Sequence, residues 1–243
     1  MGGGVERLVG IHPVREALRA GRRPLHRLSV RAGRRPEIDE IVDLARAAGL
    51  PIVEEGRRER EREPGDSVSL EVGALPELTI EELVRTNPPA VVALDGVEDP
   101  QNLGAICRVA EATGVTGLVL LRRRAPPISQ AVSRASAGAI EHLLVARVPN
   151  LVRALNTLKK NEFWVVAAHQ DAELSLFETP ENWLLGRLVV VLGGEGRGLR
   201  RQVLGAADYQ VRVPMVGRVA SLNVAGAAAA VFFERLRRER LAG

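Results

Sequence analysis

The sequence predicts a two-domain α/β protein, with a small α/β unit ahead of a larger domain built on a parallel sheet. Three observations lead there. From Ala90 onward, short apolar runs alternate with helix-length segments. Strands separated by helices of that length pair in parallel, with both faces of the sheet covered. Residues 10–75 show a shorter version of the same alternation, and the stretch between is punctuated by Pro76 and the pair Pro88-Pro89. The expected organisation is therefore a first domain at 1–75, a linker at 76–89 and a second domain at 90–243. A chain of 243 residues suits two domains of ordinary size.

In the first domain, Pro13 opens a helix, Val14 to Ala20, that Gly21 closes. His26 to Arg31 alternates as a short strand. The stripe Ile38, Ile41, Val42, Leu44-Ala45 marks a helix over 36–48, ended by Gly49. Strands follow at 51–53 and 67–72, with the mixed-charge segment EEGRRERERE between them read as solvated helix or loop. The linker carries one short helix, Ile80 to Arg85. In the second domain, strands are expected at 91–94, 117–121, 163–168, 188–192 and 211–213. Helices are expected at 102–113, 129–137 and 149–160, and from Ser221 onward. Ser221 would cap that last helix with its hydroxyl. The run of Ala and Gly after Asn223 lets neighbouring backbone come close, and an Asn there needs a hydrogen-bond partner.

Composition narrows the function. Hydrophobic residues make up 46% and charged ones 26%, the balance of a soluble globular protein with a real core. No apolar run reaches membrane-spanning length, and the N-terminus lacks the apolar stretch of a secretory signal, so the cytoplasm is the expected compartment. One cysteine, Cys107, excludes an internal disulfide and a cysteine-cluster zinc site; the four histidines are scattered, and no metal is expected. Charge is unevenly spread. From Arg7 to Arg35 there are nine arginines against the single acid Glu16, whereas Pro36 to Leu75 has five arginines against eleven acids. The basic stretch, with Arg7, Arg15, Arg19, Arg22 and Arg23, is the candidate surface for a polyanion such as RNA.

Two turns are candidate ligand sites. GGEGRGLRR, Gly193 to Arg201, follows the most apolar strand, where parallel-sheet proteins bind their ligands. Its spacing fails the dinucleotide pattern, since Leu199 occupies the third glycine slot; it also lacks the Lys and Ser/Thr of a P-loop. Glu195 inside it would repel phosphate, which argues against a nucleoside di- or triphosphate. The second turn opens the helix that begins at Asn102. There Leu103, Ile106, Cys107 and Ala110 form the core stripe, so Cys107 reads as a buried small hydrophobe. Arg108 lies roughly 150° from that stripe, over the sheet end or in solvent.

Three stretches in order, NLGAICR at 102–108, VVLGGEGRGLRR at 190–201 and VPMVGRVASLNVAGAAAA at 213–230, resemble the three motifs of the SpoU/TrmH family. These are S-adenosylmethionine-dependent RNA ribose 2′-O-methyltransferases. GIHPVREAL at 10–18 and SRASAGAIEHLLVARV at 133–148 resemble the branch that methylates a guanosine ribose in large-subunit ribosomal RNA. The resemblance implies a parallel-sheet domain tied in a deep trefoil knot, a ribosomal-protein-like α/β substrate-binding domain before it, and a homodimer. A knot runs against the usual rule of unknotted connections, and no periodicity would have proposed one.

Carried over by motif, the resemblance implies a polar site of Asn102, Arg108, Glu195, Ser221 and Asn223. It also implies a cofactor pocket formed largely by backbone at Gly193, Gly194, Val213, Met215 and Leu222. Arg108 would act either as the base toward the ribose hydroxyl or as a grip on the adjoining phosphate. A base role is costly for a guanidinium, which holds its proton very tightly. Two other readings stand beside ribosomal RNA: a transfer-RNA methyltransferase, and a nonenzymatic RNA-binding or ribosome-assembly factor on the same scaffold. The second would have been favoured by loss of Arg108, Asn102 or Asn223, and all three are present.

Overall fold

The computed structural model describes residues 4–31, 35–55, 67–194, 196–219 and 221–242, which divide into two compact units. The first unit is a four-stranded sheet flanked by helices. Its elements are β1 (Glu6–Val9), α1 (Ile11–Ala20), β2 (Leu25–Arg31), α2 (Pro36–Ala47), β3 (Ile52–Glu55) and β4 (Val68–Val72), with strand order β1-β4-β2-β3. Leu8, Val14, Leu28, Ile41, Leu70 and Val72 are fully buried between sheet and helices. β1 escaped the sequence reading because four residues hold too little alternation to register. Most of the mixed-charge segment after β3 lies outside the described residues.

The second unit is an eight-stranded, all-parallel sheet. It runs through β5 (Glu77–Leu78), α3 (Ile80–Arg85), β6 (Ala90–Asp95), α4 (Pro100–Ala112) and β7 (Gly117–Leu121). After α5 (Gln130–Ala135), which belongs to the first unit, come β8 (Leu144–Val148), α6 (Leu151–Lys160), β9 (Trp164–Ala168) and β10 (Leu174–Ser175). The chain ends with β11 (Leu188–Gly193), α7 (Arg201–Leu204), β12 (Tyr209–Arg212) and α8 (Val224–Ala242). The strand order is β10-β12-β9-β11-β6-β7-β8-β5. The central strands are apolar without alternation because helices cover both faces: Val91 to Ala93 and Val189 to Val191 are wholly buried. Each such valine contributes about 1.5–3 kcal/mol.

The units depart from the expected domains in two ways. Residues 77–89, expected as linker, supply an edge strand and a helix to the large sheet. Thr79 caps that helix in a reciprocal box: its hydroxyl accepts from the Glu82 N–H, and the Glu82 carboxylate accepts from the Thr79 N–H. Residues 127–142, expected inside the second domain, belong to the first unit. There Gly138 packs so closely on α1 that a Cβ would sit 2.7 Å from Glu16 Cβ and 2.9 Å from the His12 carbonyl oxygen. Arg23, 1% exposed at its side chain, pairs with the wholly buried Glu141 at 2.9 Å.

Helix α4 starts where Asp99 accepts from the Gln101 N–H, with Pro100 in the first turn. α8 starts at Val224, later than the sequence suggested. Asn223 rather than Ser221 caps it, its Oδ1 accepting from the Ala225 N–H at 2.8 Å. After β12, near the sheet edge, the chain returns to pack α8 on α4 and β11, the return a knotted arrangement requires. Arg238 anchors the far end of α8, donating to the carbonyls of Leu176, Thr179 and Pro180 while paired with Glu234 at 2.7 Å. Among the described residues no helix is long and apolar enough to cross a membrane.

Candidate active site

β6 and β11 are neighbours in register, with Gly193 opposite Asp95, so the turns that follow them share the carboxyl end of the sheet. The glycines there are a steric requirement. A Cβ on Gly193 would fall 2.3 Å from the Gly198 carbonyl carbon, and one on Gly194 would fall 2.0 Å from the Gly96 oxygen. The Gly194 N–H donates to the Asp95 carbonyl at 3.0 Å, and the Gly198 N–H returns to the Gly194 carbonyl at 3.1 Å. Asp95, with 1% of its side chain exposed, closes the arrangement. Its carboxylate accepts from the Arg200 N–H at 3.0 Å and from Arg200 Nε at 2.8 Å. Sequence reasoning missed this pair, although an acid at the end of the apolar run AVVALD was the signal for it.

The start of α8 meets the start of α4. Asn223 Nδ2 donates to Asn102 Oδ1 at 2.9 Å, joining positions 121 residues apart. This supplies the partner expected for an asparagine at that point. Asn223 thus caps its own helix with one atom and clamps a second helix with another.

A cavity of about 590 Å³ lies between the turns. All five residues proposed for the cofactor, Gly193, Gly194, Val213, Met215 and Leu222, line it, together with Ser221 and Asn223. His169, Gln170 and Asp171 also line it from the end of β9, unforeseen because a strand end looks like any loop in sequence. His169 Nε2 lies 3.0 Å from Gln210 Oε1. A second cavity of about 640 Å³ is lined by Asp95, Asn102, Arg124, Arg197 and Arg200 among others, and shares Gly194, Arg197, Gly198 and Val224 with the first.

The remaining site residues fall elsewhere. Arg108 is exposed on α4 and lines neither cavity of its own chain. Glu195 lies outside the described residues. Cys107 is fully buried and burial pushes its thiol pKa up, which makes it a core residue and no nucleophile. Of the five arginines proposed for RNA, Arg23 is corrected: it is buried against Glu141 and presents no surface. Arg7 bonds Ser69 and Glu55, and Arg15 and Arg19 pair with Glu16 and Glu40. Arg22 is half-buried and donates to the Glu141 carbonyl at 3.1 Å, with burial lowering its pKa. Among the described residues no group of three or more His, Cys, Asp or Glu is placed to hold a metal ion.

A glycine-walled cavity at the carboxyl end of an all-parallel sheet, closed by a chain that returns across it, defines a SPOUT-type methyltransferase fold. The comparisons give the family. Residues 89–233 match the SpoU rRNA Methylase family, and residues 7–59 match the RNA 2′-O ribose methyltransferase substrate binding model. The chain belongs to the SpoU rRNA methylase family of RNA methyltransferases. It is 32% identical to a Staphylococcus aureus protein assigned to the TrmH family of tRNA/rRNA methyltransferases, over 97% of both chains. Its structure resembles that of an RNA 2′-O ribose methyltransferase, with a TM-score of 0.77 at 28% identity, covering 96% of this chain and 88% of that one. It shares its fold with the SpoU methyltransferase AviRb from Streptomyces viridochromogenes, solved with the cofactor AdoMet. That match has a TM-score of 0.82 at 23% identity and covers 99% and 92% of the two chains.

Proposed function

We propose that this protein transfers a methyl group from S-adenosylmethionine to a ribose 2′-hydroxyl of RNA, and that the target is a guanosine of large-subunit ribosomal RNA. The observation behind the reading is the pair of adjoining cavities that share the turn Gly194–Gly198, one suited to a donor and one to an acceptor. The first cavity has the volume of a site for a ligand of this size. Its glycine backbone lets a flat adenosine approach without intervening side chains, and Asp171 on its lining suits a cationic donor. The cofactor, when bound, supplies a methyl group on an electrophilic sulfonium.

The chain's own residues would align the acceptor. Asn102 and Asn223 hold the two helix starts together, and Asp95 with Arg200 holds the turn between the cavities. A near-attack arrangement and exclusion of water then supply much of the rate. Ser221, beside Asn223, would position ribose or cofactor, and Glu195 would brace the turn.

Arg108 lines neither cavity of its own chain, so it would serve those of a second copy in a homodimer. Met215, Val216, Val219, Leu222 and Phe233 are exposed apolar side chains that such a copy would cover. The Arg108 guanidinium would act by hydrogen bonding to the phosphate or to the 2′-oxygen as charge develops.

The ribosomal target is supported by the segments that resemble that branch. GIHPVREAL and SRASAGAIEH pack on each other in the first unit, with His142 Nε2 3.0 Å from Glu16 Oε2. Transfer RNA is the second reading, since the assignment of the Staphylococcus relative gives tRNA and rRNA alike. Incubating ribosomal and transfer RNA separately with labelled cofactor decides between them. Label in a 2′-O-methylguanosine of large-subunit RNA supports the first reading, and label confined to transfer RNA supports the second.

A further inference from the structure

β7 is followed by Arg122, Arg123 and Arg124, all exposed. Arg124 has a φ of 70°, in the left-handed region where a side chain crowds its own backbone. Strain of this kind persists where surrounding structure imposes it, and it gathers at binding and catalytic sites. Arg124 lines the second cavity with Asn102, Gly194, Arg197 and Arg200.

The charges on that lining do not cancel. Asp95 is matched by Arg200 at 2.7 Å, and Asp99 accepts from the Gln101 N–H at 3.0 Å as a helix cap. Of the other described charged groups on the lining, Arg124 and Arg197 stand against Glu98 alone. Neither arginine has a hydrogen bond or ion pair to a described residue. The fold therefore holds Arg124 in a costly backbone conformation, and among the described residues no hydrogen bond or ion pair of its side chain accounts for it.

We propose that the second cavity is a binding site for a backbone phosphate of the RNA beside the target ribose, with Arg124 its principal ligand and Arg197 its second. The inference rests on the reading of the protein as an RNA ribose methyltransferase. A guanidinium fork matches two phosphate oxygens at once. The cavity shares Gly194, Arg197, Gly198 and Val224 with the donor cavity, which sets the gripped phosphate next to the site of transfer. Arg108 on its exposed helix face is a separate group, and the two would hold the strand at different points.

The test compares full-length Arg124→Ala, Arg124→Lys and Arg124→Gly proteins. Both Ala and Gly should raise the KM for RNA about tenfold or more, as loss of a charge-assisted contact does, while kcat falls less than threefold and S-adenosylmethionine affinity stays unchanged. The slope of log affinity against log salt should drop by about one. Lys should recover part of the affinity but not the fork. The glycine variant separates function from fold, since it relieves the left-handed strain and should melt no lower than the parent. Arg124→Gly binding RNA within twofold of the parent would overturn the proposal, and so would a loss of RNA affinity that merely follows a lowered melting temperature. If the parent methylates no RNA, the proposed function fails instead, and the salt slope of RNA binding still judges Arg124.

Discussion

Replacing Gly194 by Ala tests whether the cavity proposed for the donor is built as described. The added Cβ would lie 2.0 Å from the Gly96 oxygen and 2.7 Å from its carbonyl carbon. Nothing there yields cheaply, because the obstructing atoms are backbone on the turn after β6, and Gly194 is itself bonded to Asp95. To reach even 3.0 Å, the turn or the strand end must move by about 1 Å. Overpacking of this kind costs about 1–3 kcal/mol. For a chain of this length that lowers the melting temperature by roughly 2–12 °C. The same shift moves the wall of the cavity, and a misplacement near 1 Å costs about 100-fold in rate. Calorimetric titration with S-adenosylmethionine should show at least a tenfold weaker Kd. A variant that melts like the parent and binds within twofold would refute the steric reasoning and the placement of the donor together.

Three other perturbations follow. Asn223→Ala removes a helix cap worth about 1 kcal/mol and a side-chain bond to Asn102 worth about the same, whereas Asn223→Ser keeps the cap; urea unfolding should show about 2 kcal/mol lost in the first and about half of that in the second. Arg23→Ala leaves the buried Glu141 carboxylate without its partner, at a cost of about 3–5 kcal/mol. Burial already pushes the Glu141 pKa up, so the folded variant holds a proton that the unfolded chain releases, and its loss of stability should deepen as pH rises above the ordinary carboxylate range. Glu234 behaves oppositely. Hydrogen bonds from Arg237 and then Arg238 hold its pKa at about 2, against an ordinary 4.5, so its contribution is complete above 4.5 and fades as pH falls toward 2. Thermal melts of Glu234→Gln should therefore lie below the parent at neutral pH and converge with it in strong acid.

Much of the scaffold was legible because the relevant signals are local. The apolar runs 91–94 and 188–192 specify buried strands, and the stripe Leu103, Ile106, Cys107, Ala110 fixes the inner face of α4. The five residues proposed for the cofactor came from the motifs, and all five line one cavity. What escaped depends on distant pairing. β5 and β10 are two residues long and exist only by virtue of β8 and β12. The segment 127–142 follows a strand of the second unit yet belongs to the first, and no local pattern distinguishes the two. Arg23 sat in a basic stretch and read as surface, because its partner Glu141 is more than a hundred residues away. Ser221 is the cap expected from sequence, but the chain gives that task to Asn223, which also bonds Asn102. Arg124 drew no notice within a run of three arginines, since a positive φ leaves no mark on composition.

The measurement that bears most directly on the account is methyl transfer to purified ribosomal RNA from labelled S-adenosylmethionine, with the modified position mapped by resistance of the adjoining phosphodiester to alkali. The account predicts one alkali-resistant, label-bearing guanosine with the parent protein and none with Asn223→Ala. Label on a base, or on no RNA at all from a protein that binds the cofactor, would contradict it.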